Sequence, residues 1–317
     1  MTGRILGNHP RVFTFQELHF FDELMSKENL FIKRDSSALS GLYAKLISTQ
    51  RDGYFKRGKG LSYRKESEEA VHLSDCETPA DVYKAFVLNE TKLENKGIPC
   101  EQTPQNIFAL DELFRMFPEA RAVILMRDPR EVLLSQKNKW KRRKFTTDTF
   151  PASEALRARL NYHPVTISKI WKAVSATARS WQKDERVLIV KFEDLLADPE
   201  ATAKKICEHC SLSFESAMLD IPVVGSSHTA DSPASRKGVD VSRSGKWKTG
   251  LKDSEIKICQ DITGNEMLHW GYALESVNPG KIPLYTTYAS MPLKLILSLP
   301  FNLKRLKDPL GLLKRLF

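Results

Sequence analysis

The sequence predicts an α/β fold, a parallel sheet flanked by helices, on three observations. Ala122 to Met126 and Val187 to Phe192 are short apolar runs, and Val, Ile and Leu dominate both. Such runs read as strands covered on both faces. Longer stretches with helical spacing of apolar residues separate them. Residues 121–140, RAVILMRDPREVLLSQKNKW, then join a strand through a tight polar turn to a helix. Open α/β sheets bind their ligands at that edge.

Thr2 to Leu6 opens as a helix that Gly7-Asn8-His9-Pro10 ends, and Arg11 to Phe15 follows as a short strand. Gln16-Glu17-Leu18-His19 opens the next segment, where Glu17 on a helix N-terminus would balance the macrodipole. His19, beside Phe20 and Phe21, is a packing residue or a proton-transfer imidazole. Residues 22–75 alternate amphipathic helix with Lys- and Ser-rich loops. Within them, residues 51–69 (RDGYFKRGKGLSYRKESEE) show no clear period and predict an exposed loop or lid. Ala80 to Lys96 predicts a helix stopped by Gly97; Ile98 to Pro104 is a strand end, followed by a helix from Gln105 to Phe117.

In the central segment Asp128 suits the N-cap, Pro129 the first helical position, and Glu131 can reach back as in a capping box. Arg127, at the strand end, offers a planar fork of donors suited to a phosphate dianion. Ser135 lies two turns into the helix, about 10 Å along its axis. A long arginine side chain can close that gap. The plainer alternative pairs Arg127 with Asp128 and turns Ser135 back onto its own helix. The basic run Lys137 to Lys144 is a solvated helix end or a weak nucleic-acid patch. Residues 153–184 predict one long helical region with Trp171 and Trp181 in the core. Glu193-Asp194 ends the second apolar strand, residues 225–250 form a Ser-, Gly- and Lys-rich loop, and residues 253–267 form the last core helix.

With 41% hydrophobic and 28% charged residues over 317 positions, the balance is that of a globular chain with a sizeable core. No apolar run reaches about 18 residues, so no transmembrane helix is predicted, and residues 1–12 lack an apolar signal core. Five scattered cysteines make no disulfide framework and favour a reducing, cytoplasmic compartment. Cys207-Glu208-His209-Cys210 has no second Cys pair at ligand spacing and sits in an amphipathic stretch, which favours buried helix residues over a metal site. The net charge of +10 is concentrated at one end: residues 281–317 carry seven Lys or Arg against Asp308 and supply +6, leaving +4 for residues 1–280. From Met291 the tail is Leu-rich, with Pro300 and Pro309 as breaks. It suits either an interfacial membrane helix or a segment packed on the protein or a partner subunit.

Residues 117–135, FPEARAVILMRDPREVLLS, resemble the 3′-phosphate segment of the sulfotransferase superfamily, whose donor is 3′-phosphoadenosine 5′-phosphosulfate (PAPS). Glu101-Gln102-Thr103-Pro104, Phe192-Glu193-Asp194-Leu195, Gly245-Lys246-Trp247-Lys248 and Gly271-Tyr272 are similar to further family motifs in the family's order. The resemblance covers residues 1 to about 275. It implies a P-loop-like sulfotransferase fold over residues 1–280, with residues 281–317 as a basic amphipathic tail. It implies that Arg127 and Ser135 hold the 3′-phosphate, with Lys139 one turn on, and that Lys246 contacts the nucleotide, with Ser242 and Arg243 as further contacts. Phe192 stands where the family often has a tyrosine near the adenine. Glu17 is similar in position to a family glutamate that acts as general base. Gln102 departs from the family's usual lysine.

In the family, text like residues 2–19 directly follows a strand and a phosphate-wrapping turn, and neither occurs here. The expectation is therefore a sulfotransferase fold with that N-terminal strand and loop missing, either because the true start lies upstream or because the donor loop has been lost. The implied reaction is sulfuryl transfer from PAPS to a hydroxyl or amine of a carbohydrate, lipid, protein tyrosine or small molecule. No metal is required, and no nucleic acid is expected. The alternatives are a non-catalytic nucleotide-binding remnant and a basic membrane-surface or nucleic-acid-binding protein. A nucleotide kinase is disfavoured because no G-x-x-x-x-G-K-[ST] occurs.

Overall fold

The computed structural model describes residues 1–56, 60–144, 151–221 and 244–302. Its contacts fall into two compact units. The first comprises Met1–Ala122 with Ala203–Ile221, the second Val123–Thr202 with residues 244–302.

In the first unit, helix α1 (Thr2–Gly7) leads into strand β1 (Val12–Thr14). Helices α2 (Ser36–Arg51), α3 (Arg64–Leu73) and α4 (Pro79–Leu93) follow, and then strand β2 (Ile98–Cys100) and helix α5 (Leu110–Met116). β1 and β2 pair in parallel, with Val12 opposite Ile98 and Thr14 opposite Cys100. Local chemistry starts the helices. Asp35 caps α2 by accepting from Ala38 N–H, and Thr78 with Asp81 forms a capping box on α4, where Pro79 takes the first position. The core is aromatic: Phe20 stacks on Tyr83 with centroids 4.3 Å apart, and Phe15 and Tyr43 both meet Phe86.

The second unit begins with strand β3 (Ala122–Met126), helix α6 (Pro129–Asn138), helix α7 (Ala152–Asn161) and helix α8 (Pro164–Ser180). Strand β4 (Val187–Lys191) pairs with β3 and runs into helices α9 (Phe192–Ala197) and α10 (Pro199–His209), the second of which crosses into the first unit. The short helix α11 (Trp247–Gly250), helix α12 (Asp253–His269) and helix α13 (Lys281–Asn302) complete it. Leu133, Trp247, Leu251, Ile256 and Cys259 form the apolar centre where α6, α11 and α12 meet.

Several expectations are corrected. Within residues 51–69, expected as an exposed loop, residues 64–69 open a helix that runs to Leu73. Tyr63, Ser67 and Val71 recur every four residues, but the serine in the stripe hides the apolar period. Arg51 fixes that helix by bonding both Glu66 and the buried Glu90, at 2.7 and 2.6 Å. The single helical region at 153–184 is two helices. Pro164 cannot continue α7 and instead opens α8, capped by His163 Nδ1, which accepts from Val165 N–H. Gln16 to His19 forms no helix, and β3 is half-buried except at Met126. The tail helix begins at Lys281, ten residues before its Leu-rich run, and Pro300 does not end it. Pro292 and Pro300 are exposed, so the carbonyls they leave unbonded lie on the open side of the helix.

Cys207 and Cys210 are helix residues, as their setting in the sequence suggested. Cys207 is buried against Met218, and burial pushes the Cys210 thiol up to about 11.

Arg130 is the charge this packing depends on. It is 4% exposed, and its guanidinium bonds Asp128 through two nitrogens and Gln260 through a third. Arg130→Ala strands the Asp128 carboxylate in a buried site, with an expected loss of about 3–5 kcal/mol in denaturant unfolding. A loss below about 1 kcal/mol would show that the pair is not buried as described.

Candidate functional site

The nucleotide-side residues expected from the sequence lie in the second unit, at the junction of β3 and α6. Asp128 caps α6 by accepting from Arg130 N–H at 2.8 Å. Glu131 does not complete a capping box. Its side chain turns the other way, taking Arg127 Nη2 at 3.1 Å on one oxygen and Trp247 N–H at 3.5 Å on the other. The reason is electrostatic: Glu131 is 4% exposed, and burial pushes its carboxyl pKa up while Arg127 and the Trp247 and Gly245 amides pull it down. Asp128, the partner of the plainer alternative, is held by Arg130 at 2.7 Å.

Arg127 is further fixed from two sides. Its guanidinium lies 4.3 Å over the ring of Phe192, and its carbonyl accepts from Trp171 Nε1 at 2.9 Å. Phe192, the first residue of α9, is buried. The neighbouring Glu193 accepts from Asp128 N–H and from the Tyr272 hydroxyl, both at 3.0 Å. The segments at 127–131, 192–193, 245–247 and 271–272 are thus bonded to one another. Lys246 is exposed at the start of α11, beside Gly245, whose φ of +82° suits glycine. Glu131 ties the amides flanking Lys246 to Arg127. Ser135 is half-buried within α6, and Lys139 is the C-cap; four-residue spacing puts Glu131, Ser135 and Lys139 on one helix face. Ser242 and Arg243 lie outside the described residues.

Glu17 lies in the first unit, on the irregular segment after β1. It is 56% exposed, and its carboxylate is 3.4 Å from His19 Nε2. His19 adopts the left-handed conformation at φ 51° and precedes a single π-helical turn, Phe20–Leu24. Both features are uncommon and concentrate at functional sites. The turn carries Asp22, which meets His19 Nδ1 at 2.9 Å. Burial alone would push the imidazole down, but the hydrogen bonds to Asp22 and Glu17 outweigh it and raise the pKa to about 9. A raised pKa favours the charged imidazole at neutral pH, a form with no lone pair to accept a proton. His19, Asp22 and Glu23 bring metal-type ligand atoms within 4.8 Å of one another. An imidazolium has no lone pair for a metal, and the Tyr54 hydroxyl donates to Glu23 at 2.6 Å.

Beneath this turn sits Glu101. Burial pushes its carboxyl up, against hydrogen bonds from Thr103 and the Leu18 amide. The Asn106 side-chain amide also donates to it. Glu101 is a structural hub, and Thr103 passes the link on by accepting from His19 N–H at 3.2 Å. Gln102 donates to the Phe15 carbonyl at 2.9 Å and so braces β1. The sequence signalled neither Asp22 nor Glu131 as a partner. The three- and four-residue spacings from His19 and Arg127 are the only hints it offered.

Because the folded-state pKa of His19 is raised, the stability its charge contributes is full below 6.5 and is lost as pH rises through about 9. Imidazole NMR should find a midpoint near 9 that falls in Asp22→Asn; an ordinary midpoint near 6.5 would contradict the cluster.

A profile of the sulfotransferase family matches residues 1–216. Among solved structures, the chain is similar to the sulfotransferase domain from the curacin biosynthetic pathway. The two are 15% identical, the match covers 86% of this chain and 93% of that one, and the TM-score is 0.50. A sulfotransferase domain from the Synechococcus PCC 7002 olefin synthase also matches, at 17% identity, 83% and 89% coverage and a TM-score of 0.43. No curated protein matches the sequence. The profile spans about two thirds of the molecule and the shared fold agrees with it: the chain belongs to the sulfotransferase family.

Proposed function

We propose that the protein transfers a sulfuryl group from PAPS to a hydroxyl or amine acceptor. The observation that carries this is Arg127, a guanidinium held at the end of β3 by Phe192 and Glu131, directly before a capped helix N-terminus. A planar, fixed cation there fits a phosphate group. The donor supplies a sulfuryl group on a phosphate leaving group, and this chain supplies charge and position. Arg127 balances the 3′-phosphate, with the Ser135 hydroxyl and Lys139 on the α6 side and Lys246 on the α11 side. Phe192 backs the guanidinium and lines the nucleotide. Because Glu131 already draws on the Arg127 charge, phosphate binding shares that cation and does not meet a bare one.

Glu17 takes the proton from the acceptor hydroxyl as its oxygen bonds to sulfur. The His19 imidazole lies beside it, with Nε2 3.4 Å from the carboxylate. Asp22 fixes the imidazole so that Nε2 faces Glu17. His19 is thus a positioning residue and Glu17 the base.

Titration calorimetry with 3′-phosphoadenosine 5′-phosphate, and 5′-AMP as control, tests the nucleotide half. The 3′-phosphate should improve binding, and Arg127→Ala should cost about 2 kcal/mol, roughly 30-fold, and erase the preference. Equal binding of the two nucleotides by the folded wild type would overturn it. Glu17→Gln should lower the transfer rate by about 10²–10⁴ while leaving nucleotide affinity in place. An unchanged rate would remove Glu17 from the chemistry, and tight binding with no transfer by the wild type to any acceptor class would favour the binding remnant.

A further inference from the structure

We infer that the outer face of α13 docks on an anionic lipid bilayer, with the helix lying in the plane of the headgroups. The evidence is an apolar stripe turned outward. A helix on a water-facing surface turns its apolar stripe inward. α13 half-buries Leu284, Met291 and Leu295 but carries a second apolar stripe on its outer side. Its inward face is fixed by polar contacts: the Thr287 carbonyl accepts from His163 Nε2 at 3.0 Å, Lys294 Nζ donates to the Arg159 carbonyl at 3.3 Å, and Asn302 bonds Asn161 at 2.7 Å. Its outward face carries Ile282 at 77% exposure, Tyr285 at 72%, Leu293 at 60% and Ile296 at 68%, with Leu299 beside them. No charged residue interrupts that face between Ile282 and Pro300, because Lys294 points inward. Thr286, the polar side chain on the outside, hides its hydroxyl on the Ile282 carbonyl at 3.0 Å.

Charge selects the occupant. Residues 276–307 contain no acidic side chain, and from Lys281 onward seven Lys or Arg stand against Asp308. The described part of this segment supplies Lys281 and Lys294, and the other five cations follow in the sequence after Asn302; a segment this basic complements anionic headgroups and repels a second copy of itself. Tyr285 and Tyr288 are exposed aromatics with polar tips, the residue type favoured at the membrane–water boundary. Among the described residues no helix is long and apolar enough to cross a membrane, so α13 lies on the bilayer and does not span it.

Co-sedimentation of the full chain with vesicles of phosphatidylcholine alone, or of equimolar phosphatidylcholine and phosphatidylserine, tests this. The chain should pellet with the anionic vesicles, bind the neutral ones far less, and be released at about 0.5 M salt. Ile296→Glu, on the exposed face, should weaken binding at least about tenfold with an unchanged thermal midpoint. Wild-type protein that stays in the supernatant with both vesicles would overturn the inference, as would Ile296→Glu binding like wild type. A concentration-dependent dimer dissolved by Ile296→Glu, without vesicle binding, would overturn it too and assign the face to a second copy.

Discussion

The second unit is organised by one constraint: charges taken out of water must be paired. Residues 127–131 place Arg, Asp, Arg and Glu within five positions, and three of them are almost fully buried. The chain solves this with two interleaved pairs, Arg127 with Glu131 and Arg130 with Asp128. Each pair then recruits neutral partners. Gln260 completes Arg130, Trp247 covers its other face at 4.0 Å, and Glu193 takes the Asp128 amide. Segments far apart in sequence are therefore held in register by the electrostatics of one pentapeptide, and the same pairs set where Arg127 presents its charge.

A buried carboxylate does comparable work in the first unit. Glu101 gathers donors from Leu18, Thr103 and Asn106, which pins the segment after β1 to the turn that follows β2. The left-handed His19 and the π-turn behind it are uncommon backbone choices, and this network together with the Phe20–Tyr83 stack holds them. The outcome is an exposed carboxylate, Glu17, next to His19, whose pKa the bond to Asp22 raises.

What the sequence made legible was local. Ala122–Met126 is the observed β3, and Asp128 and Pro129 start α6 because capping and proline geometry depend on a few adjacent residues. Trp171 was legible as core, though not its bond to the Arg127 carbonyl. The failures were non-local. Glu131 fits a capping box on spacing alone, and only the proximity of Arg127 and the α11 amides redirects it. In residues 64–73 a serine masks the apolar period, and the Arg51 bond to Glu66 and the packing on α2 hold the helix. α13 begins at Lys281, ahead of the Leu-rich run, where polar contacts such as that of the Thr287 carbonyl help to dock it. The roles of Glu17, Ser135, Lys139 and Lys246 came from resemblance and remain part of the proposal above.

The central claim is that the Arg127 guanidinium is the anchor for a nucleotide 3′-phosphate. The most direct measurement is a crystal structure of the chain with 3′-phosphoadenosine 5′-phosphate bound. The account predicts 3′-phosphate oxygens within about 3 Å of the Arg127 guanidinium and the Ser135 hydroxyl, with the nucleotide reaching Phe192 and Lys246. A nucleotide bound elsewhere, or bound with its 3′-phosphate in solvent and away from Arg127, would contradict it.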